Sequence, residues 1–217
     1  MYITSSNTVK LLHARSPEYN PCSAFFAEGY LAVQNPDGAK NIYVHYTYDN
    51  VLWNTVSASP RRVVYGIYDV WYFRTPPTYS SSCCCFTIDS CFDESYGKNI
   101  GSSCYSLRWY SPTIILAESV LNLHSIIIVD GTFTGRVVVK NLVYDKLVTV
   151  RYTTDDWVTC KEEAAFFSQC LSDDLEIWDY KITVPCGSSL KFAIYCLMNG
   201  ITYWDNNFTD NYSYSIP

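Results

Sequence analysis

The stretch "GRVVVKNLVYDKLVTVRYTTDD", Gly135 to Asp156, decides the fold. Val148, Val150 and Tyr152 alternate with Thr149, Arg151 and Thr153, a period of two that turns one face to a core and leaves the other polar. That is the period of a β-strand. Moved back by 106 positions, the stretch lies without a gap over "GYLAVQNPDGAKNIYVHYTYDN", Gly29 to Asn50. Eight of the 22 positions are identical: Gly29/Gly135, Val33/Val139, Asn35/Asn141, Lys40/Lys146, Val44/Val150, Tyr46/Tyr152, Thr47/Thr153 and Asp49/Asp155. The same slide brings Phe86 onto Phe192 and Ile88 onto Ile194. So long a period marks a duplicated domain, not a solenoid.

Both copies read as β throughout. Ile42, Val44 and Tyr46 alternate with Tyr43, His45 and Thr47. "NPDGAK" and "NLVYDK" have the length of hairpin connections between adjacent strands. Further strands are expected at 66–74, 84–90, 113–119, 175–184, 190–197 and 201–204, and no window of about 12 residues shows a helical period. This spacing predicts an all-β chain of two tandem β-sandwiches. The boundary is expected in "RWYSP", Arg108 to Pro112, giving domains over 1–110 and 111–217, with Pro112 ending the last strand of the first.

Composition narrows the function. At 217 residues, 48% apolar and 17% charged, the chain is globular and can bury a sizeable core. Its net charge is −6 and its 15 basic residues stand singly or in pairs, so nucleic acid is not the expected partner. The longest apolar run, Pro112 to Val129, is broken by Glu118, Asn122 and His124, which are costly in lipid. The opening "MYITSSNTVKLLHARS" lacks the apolar stretch of a signal peptide. The expectation is a cytoplasmic protein without membrane association, or a secreted one if the chain is a fragment of a larger precursor.

Ten cysteines leave free thiols or a disulfide or two open. Neighbours in "SCCCF" point to opposite faces of a strand, and no Cys-x-x-Cys with a nearby His occurs, so neither a metal nor another cofactor is expected. His13, His45 and His124 form no nucleophile–base pattern with the cysteines, and no catalytic residue is assigned. A binding function is the better reading.

The chemistry of binding is concentrated in "TYWDNNFTDNYSY", Thr202 to Tyr214, within a chain of 20 Tyr, 10 Phe and 6 Trp. A sugar offers an apolar face of C–H groups and an edge of hydroxyls. An aromatic ring meets the first, and Asn, both donor and acceptor, meets the second. Stacking on roughly 50 Å² contributes on the order of 1–1.5 kcal/mol. The alternative is an Asn/Asp-rich turn with Tyr203 and Tyr212 in the core.

The second half, Thr113 to Ile216, resembles carbohydrate-binding module family 21, the starch- or glycogen-binding domain of fungal glucoamylases and of glycogen-targeting subunits of protein phosphatase 1. The likeness rests on "FTGRVVVKNLVYDKLVTVRYTTDDW" (Phe133 to Trp157), "LEIWDYKITVP" (Leu175 to Pro185), "LKFAIYCLMNG" (Leu190 to Gly200) and "TYWDNNFTDNY" (Thr202 to Tyr212), in the family's order. It implies an immunoglobulin-like β-sandwich that binds α-1,4-glucan (starch, glycogen or malto-oligosaccharide) at two sites without catalysis. By this resemblance Trp157 and Trp204 stack on sugar in the main site, with Asn206 and Asn211 as hydrogen-bonding groups. Ala193 stands where a further aromatic is often found. The second site would use Asn141, Tyr144, Lys146, Phe167 and Glu176, with Leu175 where an aromatic is expected. Trp178 is assigned to the core, and Trp157 and Phe167 have core positions as their alternatives.

The first copy departs from this pattern: Gly38 replaces the tip Tyr, Val51 the Trp, and "SYGKNIGSSCY" (Ser95 to Tyr105) the Asn-rich motif, while Asn35 and Lys40 persist and Trp53 sits two residues late. It is expected to bind weakly or not at all. The resemblance also names the phosphatase 1 catalytic subunit or an appended hydrolase as candidate partners. A basic-Val-x-Phe docking motif is approached by "RRVVY", Arg61 to Tyr65. "NFT" (Asn207 to Thr209) and "NYS" (Asn211 to Ser213) are glycosylation acceptors in a secretory setting.

Overall fold

The structure is a computed structural model that describes residues 9–16, 24–34, 41–64, 68–91, 104–109, 113–185 and 187–215. Among these residues every regular element is a β-strand. The chain divides into two compact units, Met1–Glu118 and Ser119–Pro217.

The first unit contains β1 (Val9–Arg15), β2 (Glu28–Val33), β3 (Asn41–Thr47), β4 (Asn54–Ser57), β5 (Ser59–Val64), β6 (Tyr68–Arg74), β7 (Cys83–Cys91), β8 (Tyr105–Arg108) and β9 (Ile114–Leu116). They form two sheets, β5-β6-β2-β1-β9 and β4-β3-β7-β8. The second unit contains β10 (Leu121–Val129), β11 (Thr132–Lys140), β12 (Lys146–Thr153), β13 (Lys161–Ala164), β14 (Phe166–Ser172), β15 (Leu175–Thr183), β16 (Ser189–Met198), β17 (Ile201–Asp205) and β18 (Tyr212–Ser215). Its sheets run β14-β15-β11-β10 and β13-β12-β16-β17, with β18 also on β16.

Matching β1 through β7 with β10 through β16 gives the same strand order in both units. Even the register repeats: Val44 pairs with Ile88 and, 106 residues on, Val150 pairs with Ile194. In each unit the apolar residues of both sheets pack into one cluster, the arrangement of a β-sandwich. Phe133, Tyr180 and Phe192 lie at the centre of the second, and Phe73 and Phe86 at the centre of the first.

The repeated glycine has a packing reason. A Cβ at Gly135 would lie 2.2 Å from Tyr180 Cζ, and one at Gly29 would lie 2.7 Å from Phe73 Cε1. These aromatics are the paired residues on the adjacent strand, Tyr180 opposite Gly135 and Phe73 opposite Gly29. Glycine lets each ring lie flat across its neighbour's backbone.

Two expectations need correction. "NLVYDK" is not a hairpin: β11 ends at Lys140 in one sheet and β12 begins at Lys146 in the other. The same holds from β2 to β3, although 35–40, with Asn35, Gly38 and Lys40, lies outside the described residues. The five residues 141–145 bridge the roughly 10 Å between stacked sheets as readily as they close a hairpin. True hairpins occur at Asp130–Gly131 and Asn199–Gly200, whose φ values of 47°, 71°, 49° and 76° are those of type I′ turns.

The division into units also falls later than Arg108–Pro112. β9 pairs with β1, Ala14 opposite Ile115, so residues 114–116 complete a sheet of the first unit. Pro112 lies outside the described residues.

Cys83, Cys84, Cys85, Cys104, Cys160, Cys170 and Cys196 are free thiols, while Cys22 and Cys186 lie outside the described residues. Burial pushes the Cys84 thiol up to about 12 and the Cys196 thiol up to about 11, so both stay protonated and unreactive. Among the described residues no group of three His, Cys, Asp or Glu side chains could hold a metal ion.

Candidate functional site

The aromatic-Asn stretch is an edge strand broken in the middle. β17 runs antiparallel to the C-terminal half of β16, from Met198↔Ile201 to Ile194↔Asp205. β18 resumes along its N-terminal half, from Phe192↔Tyr212 to Ser189↔Ser215. Opposite Ala193 the chain leaves the ladder, and residues 206–211 form a loop. The loop is closed by Asn211 N–H donating to Asn206 O at 2.8 Å and stiffened by Thr209 N–H donating to Asn206 Oδ1 at 3.0 Å. Asn207 Nδ2 donates to Asn211 O at 3.2 Å.

Beside it stands the loop after β12. Asp155 is its knot: Oδ1 accepts from Thr153 Oγ1 at 2.7 Å and Thr159 N–H at 2.9 Å, and Oδ2 accepts from Thr159 Oγ1 at 2.7 Å. These bonds, that from the Thr153 hydroxyl first, hold the carboxyl at about 2, below the ordinary carboxylate range. Trp157 N–H donates to Thr153 Oγ1 at 3.0 Å, and Lys191 pairs with Asp156.

Both loops carry backbone strain. Asp156, Trp157, Asn207, Phe208, Thr209 and Asn211 all have φ between 50° and 80°, a left-handed conformation costing roughly 1–2 kcal/mol per L-residue. Only Asn50, Asp130 and Asn199 share it among the other described non-glycine residues. Strain this concentrated points to a site that the surrounding structure holds in shape.

Between the loops lies an open depression of about 430 Å³ lined by Arg151, Trp157, Ala193, Trp204, Asn206 and Asn211. All four residues expected for the main site line it, together with Ala193. Trp204 is 46% exposed and Trp157 half-buried, so Trp157 does not plug the sandwich. Tyr203 and Tyr212 pack against the core, so part of the turn reading also holds.

Two residues here were not singled out from sequence. Tyr195 packs against Trp204 with ring centroids 4.9 Å apart. The Arg151 guanidinium lies 5.7 Å from the Trp204 ring and donates from Nε to Glu162 Oε1 at 2.8 Å. A cation against the ring and a salt-bridged partner on β13 hold the indole in place. The signal was the alternation of β12 and β16, which sends Arg151, Ala193 and Tyr195 to one side.

The residues expected for a second site fall into two groups. Lys146 Nζ donates to both Glu176 oxygens at 2.9 Å and to Asn141 Oδ1 at 3.1 Å, using all three donors. The Lys146 side chain is 1% exposed, and Trp178 Nε1 donates to Glu176 Oε2 at 2.9 Å. Lys146 and Glu176 therefore brace the crossover against β15. Asn141 remains exposed, Tyr144 is 96% exposed, and Phe167 is 50% exposed and meets Trp178 edge-on at 6.1 Å. Leu175 is buried, and Trp178 packs at the margin of the core.

In the first unit the counterpart of the Asp155 knot persists. Asp49 Oδ1 accepts from the Val51 and Leu52 N–H groups at 2.8 Å, but the loop presents Val51, Leu52 and a half-exposed Trp53. The counterpart of the Asn-rich motif, 95–105, lies almost wholly outside the described residues.

Partly exposed indoles beside Asn side chains suit the apolar face and hydroxyl edge of a sugar. Residues 115–215 match the carbohydrate/starch-binding module (family 21), and the second unit belongs to that family. Protein phosphatase 1 regulatory subunit 3C of Rattus norvegicus is 34% identical over 89 residues, 38% of this chain and 28% of that protein. Protein phosphatase 1 regulatory subunit 3B of Homo sapiens is 32% identical over 99 residues, 42% of this chain and 34% of that protein. The chain thus spans about a third of the length of these relatives. Among solved structures, the starch binding domain of Rhizopus oryzae glucoamylase in complex with β-cyclodextrin and maltoheptaose is similar, with 33% identity, a TM-score of 0.39, and coverage of 45% of this chain and 93% of that one.

Proposed function

We propose that the second unit binds α-1,4-glucan, starch or glycogen, without catalysis. Trp157 and Trp204 stack on the apolar faces of successive glucose rings, and Asn206 and Asn211 bond their hydroxyls. The observation that carries this reading is the convergence of those four side chains on one depression of about 430 Å³. Two stacked rings with a few hydrogen bonds correspond to dissociation constants of roughly millimolar to micromolar. Retention on insoluble starch tests it. Trp204→Ala should lose retention while melting at the wild-type temperature, because the indole is half in solvent. Undiminished retention would overturn the assignment.

Asn141, Tyr144 and Phe167 form a weaker second contact. The shared strand order supports two tandem immunoglobulin-like sandwiches born of duplication, the first a poor glucan binder with Val51 in place of Trp157. A cytoplasmic location keeps the acceptors at Asn207 and Asn211 free of glycans that would crowd the depression.

A second reading, targeting of the phosphatase 1 catalytic subunit to glycogen, is favoured by the likeness to the regulatory subunits. Residues 61–64 of its candidate docking segment lie in β5, where Val63 pairs with Asp69, while Tyr65 lies outside the described residues, so docking there requires β5 to leave the sheet. Capture of the catalytic subunit by the wild type, lost in Val63→Ala, supports that route. Capture unchanged by the substitution removes it.

A further inference from the structure

Sheet edges invite pairing with other chains, and proteins blunt them with charge, proline, bulges or shortness. Edges in both units carry such devices. β13 reads Lys-Glu-Glu-Ala and is exposed throughout; β5 holds Pro60 and Arg61 beside a bulge; β14 is bulged twice; β8 and β9 span four and three residues. β17 and β18 are one edge interrupted by a loop.

β10 is different. It ends the sheet β14-β15-β11-β10, and its one bulge lies between Leu123 and Ser125. Beyond the bulge the residues are Ser125, Ile126, Ile127, Ile128 and Val129, five in a row with no charge and no proline. Ile127 is 64% exposed and Val129 59%, while Ile126 and Ile128 are only partly covered at the core's margin.

The first unit shows what such an edge receives. Its matching strand, β1, carries a bulge at the corresponding place, between Leu11 and His13. On the residues after that bulge lies β9, an antiparallel Ile-Ile-Leu strand, with Ala14 opposite Ile115 and fully buried. Among the described residues the second unit has no strand in this position.

We infer that the Ser125–Val129 edge of β10 pairs antiparallel with the same edge of a second copy of this chain. The segment is its own complement. A two-fold axis at Ile127 sets Ile126 against Ile128 and Ser125 against Val129, so an uncharged, largely β-branched edge meets its own copy, antiparallel as β9 lies on His13–Arg15 of β1. Two four-stranded sheets join into one, each edge supplying the N–H and C=O groups that the other lacks. The depression is lined by β12, β16, β17 and their loops in the other sheet, so the pairing leaves it open and, on the glucan-binding reading proposed above, makes the protein bivalent toward a polymer.

Sedimentation velocity of the full chain from about 1 to about 100 µM tests this. The wild type should pass from monomer to dimer over that range, and Ile127→Lys and Ile127→Glu should each stay monomeric. An equimolar mixture of the two variants should recover a heterodimer, since opposite charges then face across the axis. Val129→Lys, at a second exposed position, should also stay monomeric. A wild type that is monomeric throughout, an Ile127→Lys that dimerises like the wild type, or a mixture that stays monomeric overturns the inference.

Discussion

The Asp205 carboxylate, at the end of β17, accepts a 2.7 Å hydrogen bond from the Leu123 backbone N–H on the opposite sheet. The same carboxylate accepts from Tyr212 Oη at 2.9 Å, so both ends of the broken edge strand are tied to each other and across the sandwich. Asp205→Ala leaves the Leu123 N–H unsatisfied and should cost about 2–3 kcal/mol, measured by denaturant unfolding. Starch retention should fall with it, because Trp204 and Asn206 flank the lost anchor. Asp205→Asn keeps an acceptor oxygen and should lose less of both.

Lys146 and Glu176 form a nearly buried pair, and removing one partner strands the other charge. Lys146→Met should destabilise the second unit by about 3–5 kcal/mol. Adding Glu176→Gln should recover part of that loss, a coupling that a double-mutant cycle of unfolding free energies reads directly.

Gly135 has no room for a side chain under Tyr180. Gly135→Ala should therefore cost about 3 kcal/mol or more through overpacking. The cost should shrink when Tyr180→Leu removes the ring, with thermal melting of the single and double variants as the measurement.

Asp155 and His13 respond to acid in opposite units. The Asp155 value is depressed to about 2, so its contribution is present above the ordinary carboxylate range and is lost only as pH falls toward 2. Glucan retention through the Trp157 loop should thus persist at pH 4. Burial, followed by the charge of Arg15, lowers His13 to about 3 from 6.5. Its folded-state value lies below the unfolded one, so stability is intact above pH 6.5 and falls as pH drops toward 3, by about 1.4 kcal/mol per unit. The melting transition of the first unit should drop between pH 7 and pH 4.5, and His13→Gln should flatten that drop.

Asn211 lines the depression and begins an "NYS" acceptor. Expression through a secretory pathway that glycosylates Asn211 should abolish starch retention. Thr209→Ala combined with Ser213→Ala, which removes both acceptors but neither Asn207 nor Asn211, should restore it.

Much of this was legible in the sequence. Period-two alternation gave the strands, and the 106-residue register survives into the pairing of β3 with β7 and of β12 with β16. The convergence of Trp157 with Trp204 was readable only through family resemblance, since 47 positions separate them. The burial of Lys146 was not legible: its partner Glu176 stands 30 residues away on a strand whose face a lone charge does not reveal. At "NLVYDK" length alone does not separate a hairpin from a crossover. The discriminating signals were the Asp130–Gly131 and Asn199–Gly200 pairs, which only a tight reversal requires. The pairing of the strand at 114–116 with β1 was not legible, because alternation does not say which sheet a strand joins.

The break opposite Ala193 has an evolutionary consequence. Residues 206–211 depart from one rim of the sheet and rejoin the same rim, so insertions, deletions and substitutions in that detour leave the ladder of β16 undisturbed. On the glucan-binding reading proposed above, lineages can therefore exchange one sugar preference for another by editing a short appendage, with selection on foldability scarcely engaged.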